Sequence, residues 1–557
     1  VLLEVKDLKV TFGHGPSVAK AVDGVSFTLS KGEALGIVGE SGSGKSVTSL
    51  SILNLLKSNA TNETSGDILF KNEESTLNLI SAKSSELYKI RGRKISMVFQ
   101  EPMSSLNPVR KCGAQVKEVL DVHDIGPEES RVNAILNLFS QVALPDVQRI
   151  YNSYPHELSG GQLQRVSIAM ALATRPDIII CDEPTTALDV TVQKEILELL
   201  REVAKGEGIS LIFISHDLDV VASLCDRVLV MYQGQIVEEG LLPDTFLNPK
   251  HSYTKALMTC KPTSANRPYY LPTVEEIIEN KYEQVSRKGS DSIGGKPLIE
   301  VEGLKVYFPK RKKTFFAPRS FVRAVDGVSL KLYKGEILGI VGESGSGKST
   351  LANCIGGLIS QSEGDMLYDG KILSKSILAS DNALRTRIQM IFQDPYSSLN
   401  PKMTIGKAIS EPLLYHKVVD KSSVDNHVKE LLEKVGLSPS YTDRYPHQLS
   451  GGQRQRVCIA RAISVQPEVL ICDESVSALD VSVQAQVLNL LDRLRSDLGV
   501  SMIFISHDLA VVHYLCERVL VMKDGKIVER GSTDTIMNKP QQDYTRRLIQ
   551  SLPTSIN

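Results

Sequence analysis

Apolar and polar residues alternate at the start of the chain: Leu3, Val5, Leu8 and Val10, then Val25, Phe27 and Leu29. A period of two predicts half-buried antiparallel strands. The pattern then changes. Ala34-Leu-Gly-Ile-Val38, Asp177-Ile-Ile-Ile-Cys181 and Ser210-Leu-Ile-Phe-Ile214 are short, almost continuous apolar runs. Such runs predict strands buried on both faces, as in a parallel sheet. A helical pattern, such as Val192 to Val203, lies between them. Strands alternating with helices predict an α/β architecture.

The same order is met twice. Ala21-Val-Asp-Gly-Val-Ser26 returns as Ala324 to Ser329, and Gly36 to Ser46 returns as Gly339 to Ser349, an offset of 303. Leu158-Ser-Gly-Gly-Gln162 returns as Leu449 to Gln453, and Ile214-Ser-His-Asp-Leu218 as Ile505 to Leu509, an offset of 291. Two homologous halves are therefore expected. The first spans residues 1–263, a polar, Pro-containing linker 264–296, and the second half 297–557. Each half closes on a hairpin pattern, with Gln233-Gly234 and Asp524-Gly525 at the turns.

Composition narrows the function classes. At roughly 150 residues per domain, a chain of 557 residues predicts about four folded units. Lys plus Arg number 64 and Asp plus Glu 65, a formal charge of −1, which gives no electrostatic case for a nucleic-acid partner. No apolar run approaches the ~18 residues of a membrane helix, and the first residues lack the pattern of a secretory signal. Eight scattered cysteines with no CxxC pair form neither a disulfide framework nor a zinc pattern. Cys181 and Cys472 read as core thiols in a reduced, cytosolic setting.

Gly39-Glu40-Ser41-Gly42-Ser43-Gly44-Lys45-Ser46 and Gly342-Glu343-Ser344-Gly345-Ser346-Gly347-Lys348-Ser349 fit the phosphate-loop spacing. Each follows an expected strand and precedes an expected helix. Glycines let backbone N–H groups close on phosphate oxygens, the helix start favours an anion, lysine adds charge and serine can ligate Mg²⁺. Val47 stands where the second copy has Thr350, so one hydroxyl is missing and somewhat weaker binding is expected there. Asp182-Glu183 and Asp473-Glu474 end apolar runs. The first carboxylate of each pair suits a hydrated cation, the second an attacking water. Gln100 and Gln393 follow strand-like runs and could reach the metal or the water; a surface amide is the plainer reading. His216 and His507 also end apolar strands, and their recurrence favours phosphate sensing over a structural role. Ser159-Gly160-Gly161 and Ser450-Gly451-Gly452 open helical patterns. Serine suits an N-cap; glycine amides at a helix start also suit an anion.

With these elements in this order, the chain resembles the ATP-binding cassette family twice over. The quoted strings correspond to its phosphate loop, glutamine loop, Leu-Ser-Gly-Gly-Gln signature, acidic strand, Ala-Leu-Asp turn (Ala187 to Asp189 and Ala478 to Asp480) and switch histidine. The resemblance implies two tandem P-loop NTPase domains. Each has a mainly parallel sheet core, an antiparallel β-subdomain and an α-helical subdomain. It also implies an intramolecular head-to-tail sandwich with ATP and Mg²⁺ as cofactors. One site would combine Gly39 to Ser46, Val47, Gln100, Asp182, Glu183 and His216 with Ser450, Gly451, Gly452 and Gln453. The other would combine Gly342 to Ser349, Thr350, Gln393, Asp473, Glu474 and His507 with Ser159, Gly160, Gly161 and Gln162. Ser46, Gln100, Asp182, Ser349, Gln393 and Asp473 would serve the metal, and Glu183, Glu474, His216 and His507 the catalysis. Both sites are expected to be competent.

A narrower resemblance lies in Glu101-Pro-Met-Ser-Ser-Leu-Asn-Pro108, Asp394-Pro-Tyr-Ser-Ser-Leu-Asn-Pro401, His251-Ser-Tyr-Thr-Lys-Ala-Leu257 and Asp543-Tyr-Thr-Arg-Arg-Leu548. These are similar to the peptide and nickel importer ATPases. The resemblance implies an ATPase subunit on the cytoplasmic face of the inner membrane, working through two integral membrane permease subunits, with a solute-binding protein delivering cargo. No iron–sulfur cluster is expected, since only Cys260 lies between residues 241 and 296 and no cysteine follows Cys516. The basic, aromatic stretch Lys310 to Arg323 reads as a solvated loop, as a nucleic-acid contact, or, from the family, as the source of an adenine-stacking Phe316 or Phe321, with Phe12 as counterpart. The alternative function is a soluble twin-cassette ATPase acting on ribosomes or nucleic acid. The short linker with Pro268 and Pro272 argues against it.

Overall fold

The computed structural model describes residues 1–13, 18–56, 62–71, 75–185, 188–262, 267–279, 281–282, 295–309, 321–477 and 479–551. Phe316, Ala187 and Ala478 lie outside them. The chain divides into two compact units. One is built on Val1–Thr259 with Val274–Lys281, the other on Cys260–Thr273 with Tyr282–Leu552.

The first unit holds β1 (Leu3–Phe12), β2 (Ala19–Leu29), β3 (Ala34–Val38), β4 (Asn62–Lys71), β5 (Thr76–Asn78), β6 (Ile95–Val98), β7 (Ile178–Asp182), β8 (Ser210–Ser215), β9 (Arg227–Tyr232) and β10 (Gln235–Leu241). They form a four-stranded sheet, β2-β1-β4-β5, and a six-stranded sheet, β10-β9-β3-β8-β7-β6. The four-stranded sheet is antiparallel. Leu3 faces Leu29, Val5 faces Phe27 and Leu8 faces Val25, so the alternating residues share one buried face. The larger sheet is parallel except for its β9–β10 edge. Its strands β7 and β8 are buried at every position, as their largely apolar sequence predicts. Leu3, Val5, Leu8 and Val10 join Ile37, Ile180 and Ile214 in one core, which ties the small sheet to the large one. Helices Cys112–Val122, Arg131–Gln141 and Val147–Asn152 separate β6 from β7 and form the helical subdomain.

The second unit repeats this plan with β11 (Pro297–Pro309), β12 (Phe321–Tyr333), β13 (Ile337–Val341), β14 (Glu363–Tyr368), β15 (Lys371–Ile372), β16 (Ile388–Ile391), β17 (Val469–Asp473), β18 (Ser501–Ser506), β19 (Arg518–Lys523) and β20 (Lys526–Ser532). The sheets run β12-β11-β14-β15 and β16-β17-β18-β13-β19-β20. The predicted hairpin turns are present. Gln233 and Gly234 have φ of 48° and 81°, and Asp524 and Gly525 have 48° and 77°, the two positive values that match strand twist in a two-residue turn.

Segment Cys260–Thr273 is stapled to the second unit by polar bonds. Arg267 Nε and Nη2 donate to the carbonyls of Tyr514 and Cys516, at 3.1 and 2.8 Å, at the end of helix Leu509–Leu515. A cation there satisfies helix carbonyls and opposes the dipole. Asn489, on helix Val481–Leu498, accepts from Leu271 N–H at 3.1 Å and donates to the Leu271 carbonyl at 2.7 Å. Tyr514 Oη donates to the same Asn489 Oδ1 at 2.9 Å.

All eight cysteines are buried, and none is in a disulfide. Burial pushes the Cys472 thiol up to about 12 and that of Cys181 higher still, so both are inert core groups.

Candidate functional site

Each candidate phosphate loop joins a buried strand to a helix. β3 ends at Val38, the loop turns through Gly39 to Gly44, and helix Lys45–Ile52 begins. The second copy runs from β13 to helix Lys348–Ile355. Gly39 has φ 150°, and a Cβ there would sit 2.2 Å from the Met231 carbonyl oxygen; Gly342 has φ 155° and the same 2.2 Å approach to Met522. Only glycine fits such a corner.

The loop is closed on itself. Lys45 Nζ donates to the carbonyls of Gly39 and Glu40 at 2.7 and 2.8 Å. Lys348 does the same with Gly342 and Glu343 at 2.7 and 2.9 Å. The hairpin turn braces the loop, since Gly234 N–H donates to the Ser43 carbonyl at 3.1 Å and Gly525 N–H to the Ser346 carbonyl at 2.9 Å. The hydroxyls of Ser43 and Ser346 are buried without a hydrogen-bond partner. A buried, unpaired donor is costly, and a phosphate oxygen is the acceptor this cradle suits. Ser41 and Gly42 are exposed.

The acidic pairs stand beside the loops. Ser46 Oγ donates to Asp182 Oδ1 and Ser349 Oγ to Asp473 Oδ1, both at 3.0 Å. Burial pushes both aspartate carboxyls above their usual range, against the serine bond and the lysine charge, while the adjacent glutamate adds to the rise. Glu183 and Glu474 follow at φ 48° and 46°. This left-handed backbone costs a non-glycine residue about 1–3 kcal/mol and is concentrated at functional sites. Glu183 N–H donates to the Ile214 carbonyl and Glu474 N–H to that of Ile505, at 2.9 and 3.0 Å.

In each unit two side chains converge on one carboxylate oxygen. Gln100 Nε2 donates to Glu183 Oε2 at 2.9 Å, and His216 Nδ1 lies 3.2 Å from that atom. Gln393 Nε2 lies 2.9 Å and His507 Nδ1 3.5 Å from Glu474 Oε2. Burial works to raise the Glu474 carboxyl, but the bond and charge of His507, with Lys348 4.0 Å away, win and hold it below its usual range. It is therefore ionised at neutral pH and able to accept a proton.

The signature strings open helices Gly160–Leu172 and Gly451–Ile463. Ser159 and Ser450 are N-caps, each in a reciprocal capping box with Gln162 or Gln453. The second glycine of each pair has a packing reason. A Cβ on Gly161 would sit 2.6 Å from Val192 Cγ1, and one on Gly452 2.1 Å from Val483 Cγ1. Gly160 and Gly451 have room for a Cβ. Val47 packs against the first unit's core. Phe12 packs there too, and Phe321 is half exposed at the start of β12.

One further side chain per unit reaches this glycine-rich loop. Tyr253 Oη accepts from Glu40 N–H, and Tyr544 Oη from Glu343 N–H, both at 3.0 Å. Neither was among the candidates. Their signal was the recurrence of Tyr-Thr in His251 to Leu257 and Asp543 to Leu548.

Compared with known families, residues 22–186 and 325–477 match the ABC transporter family, and residues 528–556 match the oligopeptide/dipeptide transporter C-terminal region. The chain is 43% identical over 564 aligned residues to the glutathione import ATP-binding protein GsiA of Salmonella choleraesuis (strain SC-B67), covering 100% of this chain and 90% of that protein. It is 42% identical to the protein of that name from Escherichia coli (strain K12), with the same coverage. A solved dimeric ATP-binding cassette with ADP and Pi is 30% identical over 43% of this chain and 98% of its own, with a TM-score of 0.39. Two family matches and a relationship along the whole chain leave no ambiguity: this polypeptide belongs to the ABC transporter family and carries its ATPase cassette twice.

Proposed function

We propose that the chain is the ATP-hydrolysing subunit of an importer for peptide-class solutes. The observation that carries the hydrolytic part is the convergence of Gln100 and His216 on Glu183, repeated by Gln393 and His507 on Glu474. An ionised carboxylate held between an amide donor and an imidazole suits a general base for water attacking a γ-phosphate. The peptide class rests on the C-terminal region at residues 528–556 and on relatives whose name is glutathione import.

Lys45 and Lys348 would neutralise phosphate charge, and the loop amides with Ser43 and Ser346 would bind phosphate oxygens. The Ser46–Asp182 and Ser349–Asp473 pairs are hard oxygen donors that suit Mg²⁺, with Gln100 and Gln393 nearby in the same reading. That ion would screen the phosphate charge. Glu183 and Glu474 would take the proton from water at Oε2, while His216 and His507 hold that oxygen in place. The Ser159 to Gln162 and Ser450 to Gln453 strings would contribute helix-start amides, which suit an anion. ATP must favour the closed state for its hydrolysis to do work.

No helix among the described residues is long and apolar enough to cross a membrane. By its likeness to import ATP-binding proteins, the chain would act through two separate permease subunits, on the cytoplasmic face of the membrane, with a solute-binding protein supplying cargo. The test is reconstitution: the chain with its co-purified membrane subunits in proteoliposomes, measuring ATP-dependent uptake of labelled di- and oligopeptides. Vigorous ATP hydrolysis with no peptide, glutathione or oligopeptide uptake would remove the import reading. Co-sedimentation with ribosomes in the presence of ATP would replace it.

A further inference from the structure

The segment after each cassette's last sheet strand touches the phosphate loop at one atom, and does so twice. Tyr544 follows Tyr253 by 291 residues, whereas Glu343 follows Glu40 by 303. The bond survives this difference in chain length, at 3.0 Å in both units. We infer that Tyr253 and Tyr544 are positioning residues of the two phosphate loops, through which the C-terminal segment of each unit sets ATP affinity.

The peptide plane carries the argument. The N–H of Glu40 and the carbonyl of Gly39 belong to one planar peptide and point in opposite directions. Tyr253 Oη holds the N–H side, and Lys45 Nζ sits on the carbonyl side at 2.7 Å. Fixing the N–H therefore aims the carbonyl that holds the lysine. Tyr544, Glu343, Gly342 and Lys348 repeat the relay. An ammonium anchored at the loop's own carbonyls is pre-positioned for phosphate, which lowers the cost of binding.

The tyrosines are themselves held. Glu238 on β10 accepts from the N–H groups of Lys250 and His251 at 2.8 and 3.1 Å, just before helix Ser252–Thr259. Glu529 on β20 accepts from Gln541 and Gln542 at 2.7 and 3.1 Å, just before helix Asp543–Gln550. Tyr253 is fully buried, its ring centroid 4.2 Å from that of Tyr232; Lys523 Nζ lies 4.9 Å from the Tyr544 ring centroid. Tyr232 and Lys523 end β9 and β19, beside the turns that brace the loops.

The inference rests on reading residues 39–46 and 342–349 as phosphate loops, so its test includes a control for that reading. The full chain carrying Tyr253→Phe and Tyr544→Phe keeps both rings and loses only the hydroxyls. Mg-ATP affinity is measured by calorimetry, KM and kcat by phosphate release, and amide exchange at residues 40 and 343 by mass spectrometry. The expected result is a Kd and KM raised about three- to tenfold, a smaller change in kcat, and faster exchange at those two amides. Unchanged Kd and exchange overturn the inference if Lys45→Ala with Lys348→Ala abolishes ATP binding. If the lysine variant binds ATP normally, the phosphate-loop reading itself falls, and the tether with it.

Discussion

Gln393 Nε2 donates to Glu474 Oε2 at 2.9 Å, the atom that also lies 3.5 Å from His507 Nδ1. An amide and an imidazole thus share one oxygen of a carboxylate whose backbone sits at φ 46°. Removing the charge while keeping the shape tests whether that oxygen accepts a proton. Glu183→Gln with Glu474→Gln should lower kcat for phosphate release by about 10²–10⁴-fold while an ATP-induced rise in Tm persists. Turnover within tenfold of the parent chain would contradict the general-base assignment.

The two neighbouring carboxylates answer pH in opposite directions. Glu474 is held low, because His507 and Lys348 outweigh burial. Its contribution to stability is present above the ordinary carboxylate range and is lost as pH falls through its lower folded value. Asp473 and Asp182 are raised, mainly by burial. Their ionised forms cost stability at neutral pH, and that cost disappears as pH falls through the raised value. Asp182→Asn with Asp473→Asn should therefore raise the Tm of the nucleotide-free chain at pH 7.5 by about 2–4 °C, on the order of 1 kcal/mol per unit. The gain should fade as pH falls through that raised value, and the ATP-dependent Tm shift should be lost. A fall in Tm at pH 7.5 would show that the carboxylates stabilise the empty fold.

Gly452 lies where a Cβ would meet Val483 Cγ1 at 2.1 Å. Gly452→Ala should destabilise the second unit by about 1–3 kcal/mol, read as a lower denaturation midpoint. Adding Val483→Ala should recover part of that loss, because the clash is with one methyl group. No recovery in the double variant would mean that the glycine is required for some other reason.

Asn489 satisfies both polar groups of Leu271 and accepts from Tyr514. Asn489→Ala leaves a buried peptide without its partners, a cost of about 1–3 kcal/mol. Thermal melts and limited proteolysis should show a weakened second unit and early cleavage within residues 260–273. The corresponding position of the first half is Glu198, and Glu198→Ala should move neither readout.

Most of the architecture was legible because it is written in local pattern. The alternation from Leu3 to Leu29 and the apolar runs ending at Val38, Cys181 and Ile214 announce the two sheets. The repeat supplied a second reading of every motif. What local pattern does not carry is a contact across a long stretch of chain. Tyr253 reaches Glu40 over 213 residues, and no periodicity marks a single hydroxyl. Asn489 reads as one polar position on a helix until Leu271 is seen beside it. Gly161 and Gly452 were legible as unusual at a helix start, but the valine that crowds each lies on the following helix.

The path of the chain between residues 259 and 282 bears on how the protein can be divided. Cys260–Thr273 belongs with the second unit and Val274–Lys281 with the first, so the polypeptide is interleaved there. A single break after residue 259 strands one piece on the wrong fragment, and a break after 281 strands the other. Making the halves as separate proteins therefore requires grafting as well as cutting.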